Sequence, residues 1–268
     1  MIKKILRNYT PKILSIAGYK FFVFYIYCSF KNFKKIIIAK NLESLNKCFK
    51  QISLNFKNNN FFFDIEKIDL LSEENNSFGL IREIYFRDVY LRFFEFENPK
   101  DINCVDMGCN IGMFSVLASK IFKNVKSIDM NIKYMEPYKK IMSDNFTNNA
   151  LFFNYFVGNE HFADENNQGI KTLDFNKFIN KEKLKNIFLK IDIEGFEFKL
   201  FENINLEDVS GISMEIHQNH GNIDELIDKI SNNNFMFILT NDLGDAVKDK
   251  KKATYIFASK IDSKIKLK

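Results

Sequence analysis

Asn103-Cys104-Val105-Asp106-Met107-Gly108-Cys109-Asn110-Ile111-Gly112, running on into Met113-Phe114-Ser115-Val116-Leu117-Ala118, is the stretch that decides the fold. A short apolar run ends at an acid. Two glycines follow with an asparagine midway between them, and an apolar helical pattern begins at once. The pattern reads as strand, tight turn and helix. Gly108 allows a backbone angle closed to side chains, and Asn110 is among the few non-glycines that tolerate a left-handed conformation. Gly112 is expected to let the new helix approach the sheet, while the helix N-terminus offers free N–H groups to an anionic ligand group. Asp106, at the carboxyl end of its strand, can accept hydrogen bonds from a ligand amine or hydroxyl. Alone, such a turn is also an ordinary strand-to-helix corner, so its weight comes from its neighbours.

Those neighbours agree. Val125 to Asp129 reads as a second strand ending in an acid, Tyr134 to Asn145 as a helix and Leu151 to Val157 as a third strand. A polar loop from His161 to Gly169 and a short helical piece from Leu173 to Ile179 lead to a fourth strand, Ile187 to Asp192. Helix Phe196 to Asn203, strand Gly211 to His217, helix Ile223 to Ser231 and closing strands Phe235 to Leu239 and Thr254 to Ala258 complete the chain. Strands alternating with helices predict an α/β, doubly wound, mostly parallel sheet. Upstream, the spacing of Leu42, Leu45, Phe49, Ile52 and Phe56 predicts a helix, Phe61 to Ile65 a strand, and Ile81 to Phe96 an aromatic-rich helix. The division expected is an N-terminal helical, aromatic-rich extension over residues 1–60 and one catalytic domain over 61–268.

The 268 residues suffice for a sizeable core. Thirty-nine basic against 34 acidic side chains give a net charge of +5, a mixed surface without the footprint of a nucleic-acid binder. The abundance of Lys, Asn, Phe and Ile matches an AT-rich coding bias of a bacterial kind. Cys28, Cys48, Cys104 and Cys109 have no paired metal spacing and read as reduced thiols in a reducing compartment. Residues 13–30 are largely apolar and aromatic, with Lys3, Lys4 and Arg7 before them and Lys31, Lys34 and Lys35 after. Gly18 and Lys20 interrupt the run, which is marginal for a span. The segment reads as a helix packed on its own domain or a twin subunit, with peripheral membrane contact as the other reading. No small-residue cleavage site follows, which argues against a signal peptide. The expected location is cytoplasmic, with the inner membrane face left open.

In a doubly wound sheet, ligands bind outside the carboxyl ends of the strands. Four strands here end in polar groups: Asp106; Asp129; Asp192 with Glu194; and Glu215 with His217. Asp129 stands one strand–helix–strand unit after Asp106, where an acid commonly holds two ribose hydroxyls. Glu136, before Pro137, is the other residue able to do so. Lys190, Asp192 and Glu194 alternate along one strand and are expected on one side of it. A lysine there can fix a substrate hydroxyl while a carboxylate takes its proton. His217 is a base titrating near neutrality. His161 and His220 read as surface. Two acids with a histidine could hold a divalent metal, although nothing in the sequence requires one.

Asp106-x-Gly108-x-Asn110-x-Gly112, then Lys190-Ile191-Asp192-Ile193-Glu194-Gly195-Phe196-Glu197, then Met214-Glu215-Ile216-His217, in this order, resemble the FkbM family of S-adenosylmethionine-dependent methyltransferases. The resemblance covers about Phe78 to the C-terminus, and the Lys190–Glu197 block is its most specific part. It implies a class I methyltransferase (Rossmann-like) sheet of seven strands, the last antiparallel, and methyl transfer to an oxygen, typically on a sugar or natural product. By that similarity Asp106, Gly108, Asn110 and Gly112 surround the methionine part of S-adenosylmethionine and Asp129 binds its ribose; Cys109 and Met130, beside them in the chain, are taken as further cofactor-binding candidates. By the same similarity Asp192 and Glu194 lie near the methyl group, and His217 and Lys190, read above from the residues themselves, complete the candidate catalytic set. The family usually has Glu-Pro at the ribose position, whereas this chain has Asp129-Met130 there and Glu136-Pro137 later. The expected acceptor is a small-molecule or glycan hydroxyl, in bacterial surface-polysaccharide synthesis, with a homo-oligomer left open. A nicotinamide oxidoreductase would want a glycine where Asn110 stands. A methylase of base nitrogens would want an Asn/Asp-Pro-Pro-aromatic block where Lys190 to Gly195 stands. A membrane-associated scaffold that kept the fold without the chemistry is the non-enzyme alternative.

Overall fold

The computed structural model describes residues 10–39, 42–74, 76–157 and 171–268. The loop expected from His161 to Gly169 lies outside them. Two compact units emerge. One holds the chain up to Val89 with Ile111–Met113 and Lys133–Thr147; the other holds Tyr90–Asn110, Phe114–Ile132 and Asn148–Lys268. The expected division at residues 60 and 61 falls inside a β-hairpin of the first unit.

In chain order, helix α1 covers Thr10–Lys31, α2 Phe33–Ala39 and α3 Glu43–Asn46. Gly18 has φ 80° and ψ 170°, so α1 is two helical pieces joined at a non-helical residue. Strands β1 (Gln51–Phe56) and β2 (Asn59–Asp64) form an antiparallel hairpin. The helix expected from Leu42 to Phe56 is therefore only one turn followed by a strand. Lys57 and Asn58 both take positive φ, 49° and 61°, and a two-residue loop of that hand matches the twist of the strands it joins. Helices α4 (Ile65–Ser72) and α5 (Ser77–Ile81) follow, and a π-helical turn covers Arg82–Phe86. The helix expected from Ile81 to Phe96 ends there. Asp88, at φ 52°, turns the chain away, and Phe94–Phe96 forms strand β3. The helix-like spacing came from burial of Ile84, Tyr85 and Val89 on consecutive turns, not from a continuous helix.

The second unit is built on a seven-stranded sheet. Its strands are β4 (Asn103–Met107), β5 (Asn124–Asp129), β6 (Ala150–Asn154), β9 (Ile187–Ile191), β10 (Val209–Glu215), β11 (Phe235–Thr240) and β12 (Tyr255–Lys260), in the order β11-β12-β10-β9-β4-β5-β6. Strand β12, last of the seven in sequence, is antiparallel to both neighbours; the pairings among β10, β9, β4, β5 and β6 are all parallel. This is the class I methyltransferase sheet that the resemblance implied. The expected third strand, Leu151 to Val157, divides at Tyr155. Phe156–Val157 (β7) leaves the sheet to pair with Thr172–Leu173 (β8), and β13 (Ile265–Leu267) pairs with β3. Helices α6 (Met113–Ile121), α7 (Met135–Asp144), α8 (Phe175–Lys181), α9 (Glu197–Asn203) and α10 (Ile223–Ser231) follow β4, β5, β8, β9 and β10.

Alternation along β4 and β9 separates two apolar layers. Val105, Met107, Ile187, Leu189 and Ile191 face an aliphatic core with Leu226, Ile227 and Ile230 of α10. On the opposite face Phe188 packs with Phe94, Phe96 and Phe122. That second face also carries a buried polar row. In register across the central strands stand Ser127, Asp106, Lys190 and Ser213, each at most 3 % exposed. Lys190 Nζ lies 3.1 Å from Asp106 Oδ1. It also donates to the carbonyls of Gly108 at 2.7 Å and Met107 at 3.3 Å. Ser115 Oγ donates to Asp106 Oδ2 at 2.6 Å.

Removing one member of a buried ion pair leaves a desolvated charge uncompensated, at a cost of about 3–5 kcal/mol. Lys190→Met is therefore expected to lower unfolding free energy by that amount in urea titration. Asp106→Asn combined with Lys190→Met should recover part of the loss. A single variant as stable as wild type would show that the pair does not hold the strands.

Candidate functional site

The carboxyl ends of β4, β5, β9 and β10 carry the polar groups singled out in the sequence. At the end of β4 the chain turns through Gly108 (φ 70°) and Asn110 (φ 50°), so the left-handed asparagine expected there is present. A Cβ on Gly108 would lie 1.6 Å from the Asp192 carbonyl oxygen, so only glycine lets the turn lie against the end of β9. Gly112 (φ 92°) makes room for a different neighbour than expected. A Cβ there would meet the Tyr138 ring of α7 at 2.5 Å, so it admits a helix rather than bringing α6 onto the sheet.

Asp129, half-buried at the end of β5, accepts from the backbone N–H of Asn110 at 2.8 Å through Oδ2 and of Asn131 at 2.9 Å through Oδ1. Burial raises its pKa, and these two N–H groups offset part of that rise. Each oxygen keeps a second lone pair for a ligand hydroxyl. Met130 beside it is half exposed. Glu136 sits in the first turn of α7, mostly exposed and paired with Lys139 at 2.8 Å. Cys109 is buried; desolvation, reinforced by Asp106 and Asp129, pushes its thiol well above the ordinary range, so it stays protonated.

Two expectations about charged residues need correction. Asp106 is fully buried and held by Lys190 and Ser115, so it fixes the turn from beneath rather than facing a ligand. Lys190 does not share an open side with Asp192 and Glu194. Strand β9 ends at Ile191, and the alternation stops before Glu194, which takes φ 53° in the following turn. The Lys190 ammonium is buried, and although desolvation disfavours its charge, Asp106 and Asp192 outweigh that and raise its pKa. It acts as a fixed cation inside the fold, not as a proton acceptor.

Asp192, Glu194 and His217 do come together, with one donor atom from each within 4.8 Å of the others. His217 Nε2 lies 3.4 Å from Glu194 Oε2, and Tyr90 donates its hydroxyl to Asp192 Oδ2 at 2.8 Å. Behind His217, Nδ1 lies 2.8 Å from Oε1 of Glu197, a carboxylate with no solvent exposure. The Ile193 N–H reaches the same oxygen at 3.3 Å. Sequence reading missed the roles of Tyr90 and Glu197. Glu197 was visible as the last acid of the Lys190–Glu197 block, but nothing in its spacing said that α9 would turn it inward. Tyr90 comes from a segment misread as helix. His220 is exposed, as expected, and its ring lies over Gly195, where a Cβ would meet it at 2.4 Å. Beside the cluster, Glu194 and His220 border a cleft of about 1040 Å³, walled by Phe196 and Phe198 with Lys199 and Lys229 among its charged groups. That volume suits a drug-sized or sugar-sized ligand.

Comparison with known proteins bears on this arrangement. Residues 95–237, more than half of the chain, match the Methyltransferase FkbM domain, and the chain belongs to that family. The family and the fold make it an S-adenosylmethionine-dependent methyltransferase. Among solved structures it is similar to an rRNA methylase from Streptococcus thermophilus (10% identity, 74% of this chain and 95% of that chain, TM-score 0.37). It is also similar to a putative SAM-dependent methyltransferase from Streptococcus mutans (12% identity, 78% of this chain and 55% of that chain, TM-score 0.42). No curated protein matches it.

The hydrogen bond that His217 donates to Glu197, opposed in part by burial, raises the imidazole from its ordinary 6.5 to about 9, so it does not titrate near neutrality as expected. Below pH 6.5 folded and unfolded chains both carry the proton; between there and 9 only the folded chain does. Stability should therefore fall as pH rises through that window. Urea midpoints between pH 6 and 9.5, in a chelating buffer, are expected to show the fall in wild type and a flatter profile in Glu197→Gln. Equal profiles would remove Glu197 as the cause.

Proposed function

We propose that the chain transfers the methyl group of S-adenosylmethionine to a hydroxyl oxygen of a sugar, glycan or related natural product. The observation that carries this reading is the group formed by Asp192, Glu194 and His217 beside the glycine turn, with buried Glu197 behind the imidazole. The cofactor supplies a sulfonium-activated methyl group that needs alignment more than activation. A hydroxyl acceptor, unlike an amine, has to lose a proton as it attacks. Asp192 and Glu194 can accept hydrogen bonds from the acceptor hydroxyl, and the cluster can take its proton. Asp129 can accept hydrogen bonds from two ribose hydroxyls through its remaining lone pairs. The cleft beside Glu194 offers room for the acceptor, and its mixed aromatic and charged walls suit a sugar, polar at its edges and flat on its faces. Bacterial surface-polysaccharide synthesis is the setting we infer, from the FkbM membership and the composition.

The place of action we propose is the cytoplasmic face of a membrane. Helix α1 buries Ile13, Tyr25 and Cys28 but leaves Tyr19, Tyr27 and Phe30 exposed, and α2 leaves Ile38 at 82 %. Lys20, Lys31, Lys34 and Lys35 accompany these side chains. The apolar length passes a composition test for a span. The break at Gly18, however, leaves a straight piece from Tyr19 that rises about 20 Å, short of a ~30 Å hydrocarbon core. An apolar, basic helix too short to cross suits the headgroup boundary of an anionic bilayer.

Calorimetric titration of S-adenosylhomocysteine is expected to show saturable binding, weakened by about 1–3 kcal/mol in Asp129→Ala, the cost of unpaired buried polar partners. NADH should not bind. Loss on Glu136→Ala instead would move the ribose to α7. A folded protein that binds no S-adenosylhomocysteine would sink the reading and favour the scaffold alternative. In flotation assays, vesicles containing phosphatidylglycerol should carry the protein upward and phosphatidylcholine vesicles far less. Phe30→Ser with Ile38→Ser should weaken the association. Equal behaviour on both lipids would remove the anionic surface as partner.

A further inference from the structure

We infer that Asp192, Glu194 and His217 form a binding site for one divalent cation of the Mg2+/Mn2+ class, on which the acceptor hydroxyl is held and acidified. The inference rests on the methyltransferase reading for its purpose, though not for its test. Three features carry it. The first is chemistry: two carboxylates and an imidazole are a hard-to-borderline donor set, suited to Mn2+ or Mg2+ rather than to a thiolate-loving metal. The second is spacing. Donor atoms of the three residues lie within 4.8 Å of one another, and His217 Nε2 is 3.4 Å from Glu194 Oε2. Ligands on adjacent positions of an octahedral ion with bonds near 2.1 Å stand about 3 Å apart, so an ion fits among them with small side-chain shifts.

The third feature lies outside the cluster. Metal-bound histidines characteristically give their other ring nitrogen to a carboxylate, which fixes the ring and raises its basicity. Glu197 does this here, buried to 0 % exposure and 2.8 Å from His217 Nδ1, so that Nε2 faces Asp192 and Glu194. Its Oε2 is a buried oxygen with no hydrogen-bond partner among the described residues. Glu197 thus fixes the ring with Nε2 turned toward Asp192 and Glu194, the orientation a metal-bound histidine needs. Tyr90 does the equivalent for Asp192, holding Oδ2 at 2.8 Å and leaving Oδ1 for a ligand. By contrast Asp106 is taken up by Lys190 on one oxygen and Ser115 on the other, and it is fully buried away from the cluster.

With three protein ligands, an octahedral ion keeps open positions for water or for an acceptor that presents two neighbouring oxygens. The acceptor hydroxyl oxygen binds the ion, and its O–H bond breaks. The proton passes to the second oxygen of Glu194, whose side chain is 86 % exposed, and from there to water. The alkoxide electron pair then forms the new O–CH3 bond as the C–S bond breaks. Its electrons stay on sulfur, which leaves a neutral thioether.

The test is titration of Mn2+, free of acceptor, into the full chain, followed by the loss of the free-ion paramagnetic resonance signal. S-adenosylhomocysteine affinity is measured separately on each variant. Wild type is expected to take up one equivalent, displaced by excess Mg2+. Asp192→Asn and Glu194→Gln should each weaken uptake at least roughly 100-fold, and Glu197→Gln about 10–100-fold. S-adenosylhomocysteine binding should stay within about threefold in Glu194→Gln, whose exposed position spares the fold. Absence of saturable Mn2+ uptake in wild type, or uptake unchanged in Glu194→Gln and Asp192→Asn, would overturn the cation site. If Mn2+ binds as described while S-adenosylhomocysteine does not, the cation site stands and the methyltransferase reading falls.

Discussion

A single buried cation underlies the geometry of the site. Lys190, deep in the central strand β9, pairs with Asp106 on β4 and spends its remaining donors on the carbonyls of Met107 and Gly108. One side chain thus ties a strand to its neighbour and to the turn that leaves that neighbour. Two desolvated charges are tolerable here because Ser115 satisfies the second carboxylate oxygen and backbone carbonyls satisfy the ammonium. The turn is pinned from its other side too, since Gly108 lies against the carbonyl of Asp192 with no room for a Cβ. Asp129 then accepts the N–H of Asn110, which fixes the far limb of the same turn.

The acids at the strand ends therefore divide into three kinds, although the sequence presents them alike. Asp106 is consumed by the fold. Asp129 is shared, since two backbone N–H groups of the fold each take one lone pair and each oxygen keeps another. Asp192 and Glu194 are available, and what separates them from Asp106 is where β9 stops. Beyond Ile191 the chain leaves the ladder and the positive φ at Glu194 swings that side chain into solvent, where it meets His217. A uniform strand through Glu194 would have placed these groups in a row, and the cluster with His217 would not exist.

Histidine placement follows the same logic. His217 leaves β10 just past Glu215, and its orientation comes from Glu197, which α9 carries inward from the adjacent crossover. Glu197 and His217 are twenty residues apart in sequence, and their meeting is a product of β9 and β10 lying side by side. The same adjacency sets His220 against Gly195 at the border of the cleft.

The parallel sheet and its central turn were legible because their signals are local: an apolar run, a glycine at φ 70°, an asparagine at φ 50°, then a helix. The segments before β4 were misread because periodicity alone does not separate a helix from buried turns. Phe49, Ile52 and Phe56 keep helical spacing while the last two sit in a strand closed by Lys57 and Asn58. By itself, then, the sequence determined the order of the seven main strands and the helices between them, the need for glycine at the turn and which residues could carry charge to the strand ends. Only the tertiary structure decided which of those charges are spent on each other and which stay free for chemistry. Burial and pairing depend on neighbours brought together from distant parts of the chain: Lys190 on Asp106, Tyr90 on Asp192, Glu197 on His217.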